Sequence, residues 1–262
     1  MLFGGVDTEK YVGDMMRVDI LPDEKLGGAY THFTINMTSM KAKSPSGEDT
    51  LTSEGYPIQV VLDSGTTLTF LPADLVTQVW EEAGVEFNDI LKEGLIPCSR
   101  RNSPGLFVFG FGGPDGPKIE VPMDELVLDL TLGGAPPFPG NSQYKGQDAC
   151  LFGVQPFTEA PYILGDTLLR SAYVVYDLVN NQIGLAQTDF NETGSKIVSF
   201  ENNGSTIPMS TIAPNQGRLD TAAELKDPSY AARDGFQSAA WARSVFQVSA
   251  WLAMACAFLV LA

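Results

Sequence analysis

Basic residues and histidine are scarce in this sequence. Its 262 residues hold 16 Lys and Arg against 32 Asp and Glu, which gives a formal net charge of −16 with the single histidine neutral. Apart from the Arg100–Arg101 pair the basic residues are scattered, so no basic stripe could follow a phosphate backbone. Nucleic acid is therefore excluded as an expected partner. The acidic excess suits a soluble surface, and it also suits a protein that works in acid.

Cysteine is also scarce, which limits the possible metal sites. Cys98 and Cys150 lie in the part of the chain with globular character, whereas Cys256 lies in an apolar run. No Cys-x-x-Cys pair is present, and His32 is the only histidine, so a zinc site of mixed ligands has too few members. We therefore predict no metal, no cofactor, and a disulfide between Cys98 and Cys150, which implies an oxidising compartment.

A secretory signal is missing from the first residues. The segment MLFGGVDTEKYVGDMM at 1–16 has no basic region followed by an apolar one. Three Asn-x-Ser/Thr acceptors nevertheless agree with passage through the secretory pathway, and we expect them to be glycosylation candidates: Asn36, Asn191 and Asn203. These two observations conflict for a chain that starts at Met1.

Short β-like runs occupy the chain up to residue 188. Runs such as IQVVLDSG, LFVFGFG and AYVVYDL are broken by Gly, Pro, Asp and Asn, which is typical of a mainly β domain. One helix is expected directly after Pro72, where ADLVTQVWEEAG has apolar residues at helical spacing. Turn-forming residues predict surface loops at 41–55 and 133–146.

The remainder of the chain differs in character. Residues 189–243 are polar, small and without periodicity, which predicts a flexible, glycosylated stalk. Residues 244–262 are apolar and uncharged, as in a signal for glycosylphosphatidylinositol (GPI) attachment, and a single membrane-spanning helix is the alternative. The nearest positive charge, Arg243, lies upstream, which favours the lipid. Small residues between 229 and 238 are candidates for its attachment: Ser229, Gly235 and Ser238.

One acidic residue ends an apolar strand in VVLDSGTTLTFLP, residues 60–72. Asp63 precedes a small hydroxyl residue, a glycine and two threonines, so hydroxyl and backbone N–H groups can hold its carboxylate in the ionised form. Gly65 permits close backbone approach, which can present this carboxylate at the mouth of a cleft. Taken alone, the run is also compatible with an ordinary β-turn capped by aspartate.

Four further segments accompany this run in a fixed order. They are LFGGVDTEKYVGD at 2–14, IPCS at 96–99, CLFGV at 150–154 and ILGDTLLRSAYVVYDLVNNQIGLAQ at 163–187. Together with VVLDSGTT they resemble pepsin-family aspartic proteases, and most of all the fungal yapsin-type enzymes that carry GPI anchors. The resemblance covers only the later half of that two-lobed fold. It implies a mainly β C-terminal lobe at 23–188, preceded by a remnant of inter-lobe strands at 1–22.

The resemblance implies roles for the residues of the VVLDSGTT run. Asp63 would be the catalytic aspartate of this lobe. Ser64 would be a hydroxyl of the hydrogen-bonded grip between the two catalytic loops, and Thr66 would support the carboxylate. Gly65 would be the loop glycine.

Two further features of the lobe follow from the same resemblance. Ile163, Leu164 and Gly165 would pack behind the catalytic loop, and Cys98 and Cys150 would form the disulfide of this lobe. Protein or peptide substrates are the implied partners, and the cell surface or wall is the implied location.

Aspartic proteolysis needs a second carboxylate. Two aspartates share one proton, so that one activates water while the other polarises the scissile carbonyl. This sequence has a single Asp-Thr/Ser-Gly, because Asp7 is followed by Thr-Glu and Asp166 by Thr-Leu. We therefore expect an aspartic endopeptidase chain that lacks the N-terminal lobe with the first catalytic aspartate, and that is inactive alone.

Two alternatives remain open for this chain. It could be a non-catalytic cell-surface pseudoprotease or binding module, in which case its natural transcript begins at Met1. It could also be a homodimer in which two copies of Asp63 face each other, which predicts activity that depends on concentration.

Overall fold

Strands dominate the computed structural model, which describes residues 1–53, 55–130, 136–218 and 228–237. The strands are β1 Gly5–Asp7, β2 Tyr11–Asp19, β3 Thr34–Ser44, β4 Gly47–Leu51, β5 Ile58–Leu62, β6 Thr69–Pro72, β7 Glu86–Asn88, β8 Glu93–Pro97, β9 Leu106–Phe111, β10 Lys118–Pro122, β11 Val127–Leu128, β12 Ala149–Phe152, β13 Val154–Phe157, β14 Tyr162–Leu164, β15 Ala172–Asp177, β16 Gln182–Thr188, β17 Ile197–Ser199 and β18 Ser210–Ile212. The helices are α1 Ala73–Ala83, α2 Met123–Leu126, α3 Asp166–Leu169 and α4 Arg233–Gln237, with short 3-10 helices at Glu24–Leu26 and Cys98–Asn102. The expectation of a mainly β fold is confirmed.

Among the described residues the strands form four sheets. The largest has eight strands, in the order β10-β9-β3-β5-β14-β6-β13, with β4 paired to β3. Two sheets of four strands have the orders β11-β12-β8-β7 and β15-β16-β2-β18, and β1 pairs with β17. Neighbouring strands are mostly antiparallel, but β14 runs parallel to β5 and β13 runs parallel to β6. Because β5 and β14 are parallel, the C-terminal ends of these two strands lie side by side.

The core follows from the alternation along the strands. In β5 the side chains of Ile58, Val60 and Leu62 are buried on one face, whereas Gln59 between them is exposed. Each such side chain contributes about 1.5–3 kcal/mol when it is removed from water. The buried face of β5 therefore fixes the register of the strand that leads into Asp63.

Helix α1 forms where the sequence predicts it. Its apolar face buries Leu75, Val76 and Val79 against the large sheet. The helix ends at Gly84, which adopts φ 76° and donates its N–H to the carbonyl of Trp80 at 2.8 Å. A left-handed residue of this kind is favourable for glycine, so the sequence itself marks the end of the helix.

The disulfide between Cys98 and Cys150 is present, which confirms its prediction. Cys150 is fully buried in β12, next to β8 in the sheet, and Cys98 directly follows β8. The bond therefore fastens two neighbouring strands at one end of the four-stranded sheet.

The folded lobe continues past residue 188, where the sequence predicts a flexible stalk. Strand β17 pairs with β1, and β18 adds to β2 in parallel. Ile207 and Phe236 are completely or almost completely buried. The predicted end of the folded lobe at residue 188 is therefore corrected: residues 189–218 and 228–237 also belong to the lobe. Strands β17 and β18 have three residues each and no fully buried side chain, so they produce no periodic pattern in the sequence.

The predicted tail at 244–262 lies outside the described residues, as do Cys256, Ser238 and the rest of the stalk at 219–227 and 238–243. Within the described part of the chain, no helix has the length and apolar character that a membrane crossing requires.

The three glycosylation candidates occupy different environments. Asn191 and Asn203 are exposed in turns. Asn36 is half-buried in β3, between β5 and β9 of the large sheet. The folded lobe therefore leaves room for a glycan at Asn191 and Asn203, and much less at Asn36.

Candidate active site

Asp63 directly follows β5 and opens the loop that leads to β6. Its carboxylate accepts two hydrogen bonds, from the Thr66 hydroxyl to Oδ2 at 2.7 Å and from the Gly65 N–H to Oδ1 at 2.9 Å. These bonds, that from Thr66 first, hold the pKa of Asp63 below its usual value, although partial burial acts against them. The carboxylate is partly exposed, and these hydrogen bonds favour its charged form.

Strand β14 and helix α3 hold this loop in place. The Asp63 N–H donates to the carbonyl of Leu164 at 3.1 Å, and the Asp166 N–H donates to the carbonyl of Thr66 at 2.9 Å. Ile163 pairs with β5 on one side and with β6 on the other. The structure thus places Ile163, Leu164 and Gly165 directly behind the loop.

Gly165 lies too close to the loop to carry a side chain. A Cβ atom there would lie 2.3 Å from the carbonyl oxygen of Thr66 and 2.4 Å from that of Leu68. Both contacts are with backbone, which cannot move aside without displacing the loop. The position of the Asp63 carboxylate therefore depends on this glycine.

We expect Gly165→Ala to destabilise the lobe by about 3 kcal/mol, since overpacking of a rigid site has costs of this order. Urea unfolding measures the loss. Gly140→Ala is the matched control, because a Cβ there would meet nothing within 4 Å. Equal stability of the two variants would contradict the close packing of β14 against the loop.

The Thr66 hydroxyl gives a second expectation. Thr66→Val removes the hydrogen bond that lowers the pKa of Asp63 most, so the pKa of this carboxyl should rise, whereas Thr66→Ser should leave it near the original value. Carbon-detected NMR titration of the Asp63 carboxyl measures both. An unchanged pKa in the valine variant would show that Thr66 does not support the charge.

Ser64 lies exposed at the tip of the loop and borders a cleft of about 610 Å³. Apolar side chains line much of this cleft, among them Phe3, Tyr176, Ile197 and Phe200. Phe3 is 84% exposed and Ile197 is 56% exposed. The Asp63 carboxylate thus lies one residue away from the lining of a largely apolar cleft.

Sequence reasoning missed Tyr176 as a neighbour of the site. Its ring packs on Phe33 with centroids 4.3 Å apart, and Phe33 precedes β3 beside the loop. Burial first, and then the negative charge of Asp63, raise the pKa of Tyr176 to about 12. Tyr176 therefore stays protonated and can donate a hydrogen bond in the cleft. The run AYVVYDL identifies it only as a strand residue, since its approach to Asp63 depends on the tertiary fold.

Asp7 has a structural role. It accepts hydrogen bonds from the Ser195 hydroxyl at 2.6 Å and from the Lys196 N–H at 2.8 Å, and these bonds, in that order, lower its pKa. They fasten β17 to β1. Among the described residues no three His, Cys, Asp or Glu side chains are grouped so that they could hold a metal ion.

A mainly β lobe that presents one hydrogen-bonded aspartate beside an apolar cleft has the architecture of an aspartic peptidase. A family model for eukaryotic aspartyl proteases matches residues 1–188. The chain belongs to the eukaryotic aspartyl protease family.

Curated fungal proteins are similar to most of this chain. A probable aspartic-type endopeptidase, opsB, of Aspergillus oryzae is 37% identical over 217 residues, which are 82% of this chain and 42% of the relative. Yapsin-3 of Saccharomyces cerevisiae is 31% identical over 219 residues, 82% of this chain and 38% of the relative. The chain spans about two fifths of the length of the curated relatives it matches.

Proposed function

We propose that this chain supplies one lobe of a two-lobed aspartic endopeptidase and that Asp63 is one of its two catalytic aspartates. The observation that carries the proposal is the carboxylate of Asp63, whose charged form Thr66 and Gly65 stabilise next to Ser64, which borders the cleft. Membership of the aspartyl protease family supports the reaction class.

The lowered pKa suits Asp63 to one half of the chemistry. An ionised aspartate can take a proton from water, while a protonated partner polarises the peptide carbonyl and later protonates the leaving nitrogen. The sequence has one Asp-Thr/Ser-Gly, so the partner comes from a second lobe. We expect the chain alone to be inactive, because either role by itself contributes only a part of the catalysis.

The surface around the cleft supports the presence of a second lobe. Phe3, Tyr176 and Ile197 form an exposed apolar area beside the loop. Exposed apolar patches of this kind mark interaction surfaces. A lobe seated there would bring its own aspartate towards Asp63 and exclude water from the pair.

The proposal is tested by following the natural transcript through to its translation start and producing the protein that it encodes. We expect a second Asp-Thr/Ser-Gly upstream and peptide hydrolysis in acid, blocked by a transition-state analogue with a tetrahedral hydroxyl. A complete transcript that begins at Met1 and a product without activity would favour the pseudoprotease alternative. Activity of the pure chain that rises with its concentration would favour the homodimer.

We also propose that the protein is held at the cell surface by a GPI anchor. The apolar, uncharged run at 244–262 supports an anchor signal, and the name of one yeast relative, yapsin-3, agrees with a yapsin-type protein. Two of the three attachment candidates are engaged in the fold, since Ser229 donates to Asp49 and Gly235 bonds to Ser46 and Ser103.

Ser238 is therefore the favoured attachment residue, and Ala239 and Ala240 supply the small residues that such a site requires next. Release from cells by a phosphatidylinositol-specific phospholipase, followed by mass spectrometry of the terminal peptide, tests this. Resistance to the phospholipase would favour a membrane-spanning tail.

A further inference from the structure

Residues 228–237, here called the strap, dock at the tip of the β3–β4 hairpin and against α1. The Ser44 hydroxyl donates to the carbonyl of Ala232 and the Ser46 hydroxyl to that of Ala231, both at 2.8 Å. A Cβ on Gly47 would lie 2.8 Å from the Cβ of Ala231. The hairpin tip is therefore shaped for the strap.

Phe236 anchors the far end of the strap. Its ring is fully buried and packs on Phe107 with centroids 4.8 Å apart. It covers Gly105 so closely that a Cβ there would lie 2.3 Å from the ring. The strap thus completes the core of the lobe.

Asp49 of β4 holds the near end of the strap. Its carboxylate accepts the N–H of Ser229 and the N–H of Ala232, each at 2.9 Å, and also the Ser229 hydroxyl. Burial alone would raise the pKa of Asp49, but these hydrogen bonds outweigh it and hold the pKa below its usual value. The charged form of Asp49 is the form that binds the strap.

A second carboxyl, that of Glu82 on α1, lies beside Asp49 and is fully buried. Both carboxyl oxygens of Glu82 are buried without a hydrogen-bond partner. Burial first, and then the neighbouring carboxylate of Asp49, raise the pKa of Glu82 to about 8, while the positive charge of Arg233 acts in the opposite direction. Arg233 is itself engaged with Glu81 at 2.8 Å. Glu82 is therefore protonated in acid and at neutral pH.

We propose that the strap is a pH-sensitive latch, docked while Glu82 is protonated and released when Glu82 ionises beside Asp49. Loss of this proton places two negative charges together in a buried site, and only Arg233 from the strap opposes them. The strap leaves because its departure gives both carboxylates access to water.

The direction of the pH effect follows from the raised pKa of Glu82. Between the ordinary glutamate pKa of 4.5 and the folded value of about 8, the docked form binds the proton and the unfolded form does not. The contribution of this proton to stability is complete below about pH 4.5 and is lost as the pH rises through about 8. The docked form of the strap is thus most stable in acid, and the strap is released more readily under alkaline conditions.

The latch is distant from the candidate catalytic loop. Strand β3 begins at Thr34, which pairs with Val61 beside the loop, and ends at Ser44 under the strap. Ten residues of strand span up to about 33 Å. Strap release can therefore be measured without reference to peptide hydrolysis, and the inference does not depend on the proposed function.

Hydrogen exchange of the Ser229 and Ala232 amides in the full chain, corrected for the intrinsic effect of pH, tests the latch. We expect protection to be greatest below about pH 4.5, to fall by about tenfold per pH unit between about pH 4.5 and 8, and to level off above that, since one proton controls docking. Glu82→Gln should remain protected at about pH 9. Glu48→Gln, which removes an exposed charge next to Asp49 in the sequence, should behave as the unchanged chain does.

Protection that is independent of pH, or an identical pH profile in Glu82→Gln, would overturn the latch. If that variant does not fold, carbon-detected titration of Glu82 in the unchanged chain decides the matter. A carboxyl that titrates well above 4.5 together with loss of strap protection supports the latch, and one that titrates near 4.5 overturns it.

Discussion

Asp63→Asn should abolish peptide hydrolysis by the proposed two-lobed enzyme, with a loss of roughly 10⁴-fold, and leave the lobe folded. The carboxamide oxygen can still accept the Gly65 N–H, and the Thr66 hydroxyl can rotate to accept from the new amide. What the variant lacks is a group that takes a proton from water. Rates of cleavage of a fluorogenic peptide in acid, with urea unfolding of the same preparation, measure both outcomes.

Asp89→Asn is the matched control for the loss of one negative charge. Asp89 lies between β7 and β8, its side chain is 91% exposed, and its contact with Lys92 is long at 3.9 Å. We expect the activity of the Asp89→Asn enzyme to equal that of the unchanged enzyme. A folded Asp63→Asn enzyme that still cleaves in acid would overturn the assignment of Asp63, whatever the control shows.

Local signals explain why part of this fold could be predicted. Helix α1 lies between Pro72 and Gly84, two residues with strong preferences at helix ends, and its apolar spacing marks the buried face. The Asp63 loop could be predicted for the same reason, since Gly65 and Thr66 act on a neighbour two or three residues away. These features depend on contacts that are short in sequence.

Features that depend on distant contacts could not be predicted. The segment at 41–55 is rich in turn formers, yet most of it continues β3 and forms β4, because the strap and the large sheet pack on it. Glutamate on a helix is usually exposed, yet Glu82 is fully buried, because its burial depends on tertiary packing that the helical pattern does not show. The stalk prediction failed at 189–218 for the same reason, since β17 and β18 find their partners near the start of the chain.

Removal of the disulfide should destabilise the lobe by about 4 kcal/mol, because the bond closes a loop of 52 residues that gains freedom in the unfolded chain when the bond is absent. The change is Cys98→Ala with Cys150→Ala. Urea unfolding measures it, and with a dependence of about 2 kcal/mol per molar urea the midpoint should fall by about 2 M.

The folded sheet does not depend on this bond for its pairing. Strand β12 pairs with β8 through Cys150 and Ile96, and the backbone hydrogen bonds there remain when sulfur is removed. The unfolded chain should therefore account for most of the loss, and reduction of the unchanged protein should lower its stability by a similar amount. The alanine variant must be insensitive to reductant. A loss below about 1 kcal/mol in both cases would contradict this account and would mean that β8 and β12 stay together in the unfolded chain without the bond.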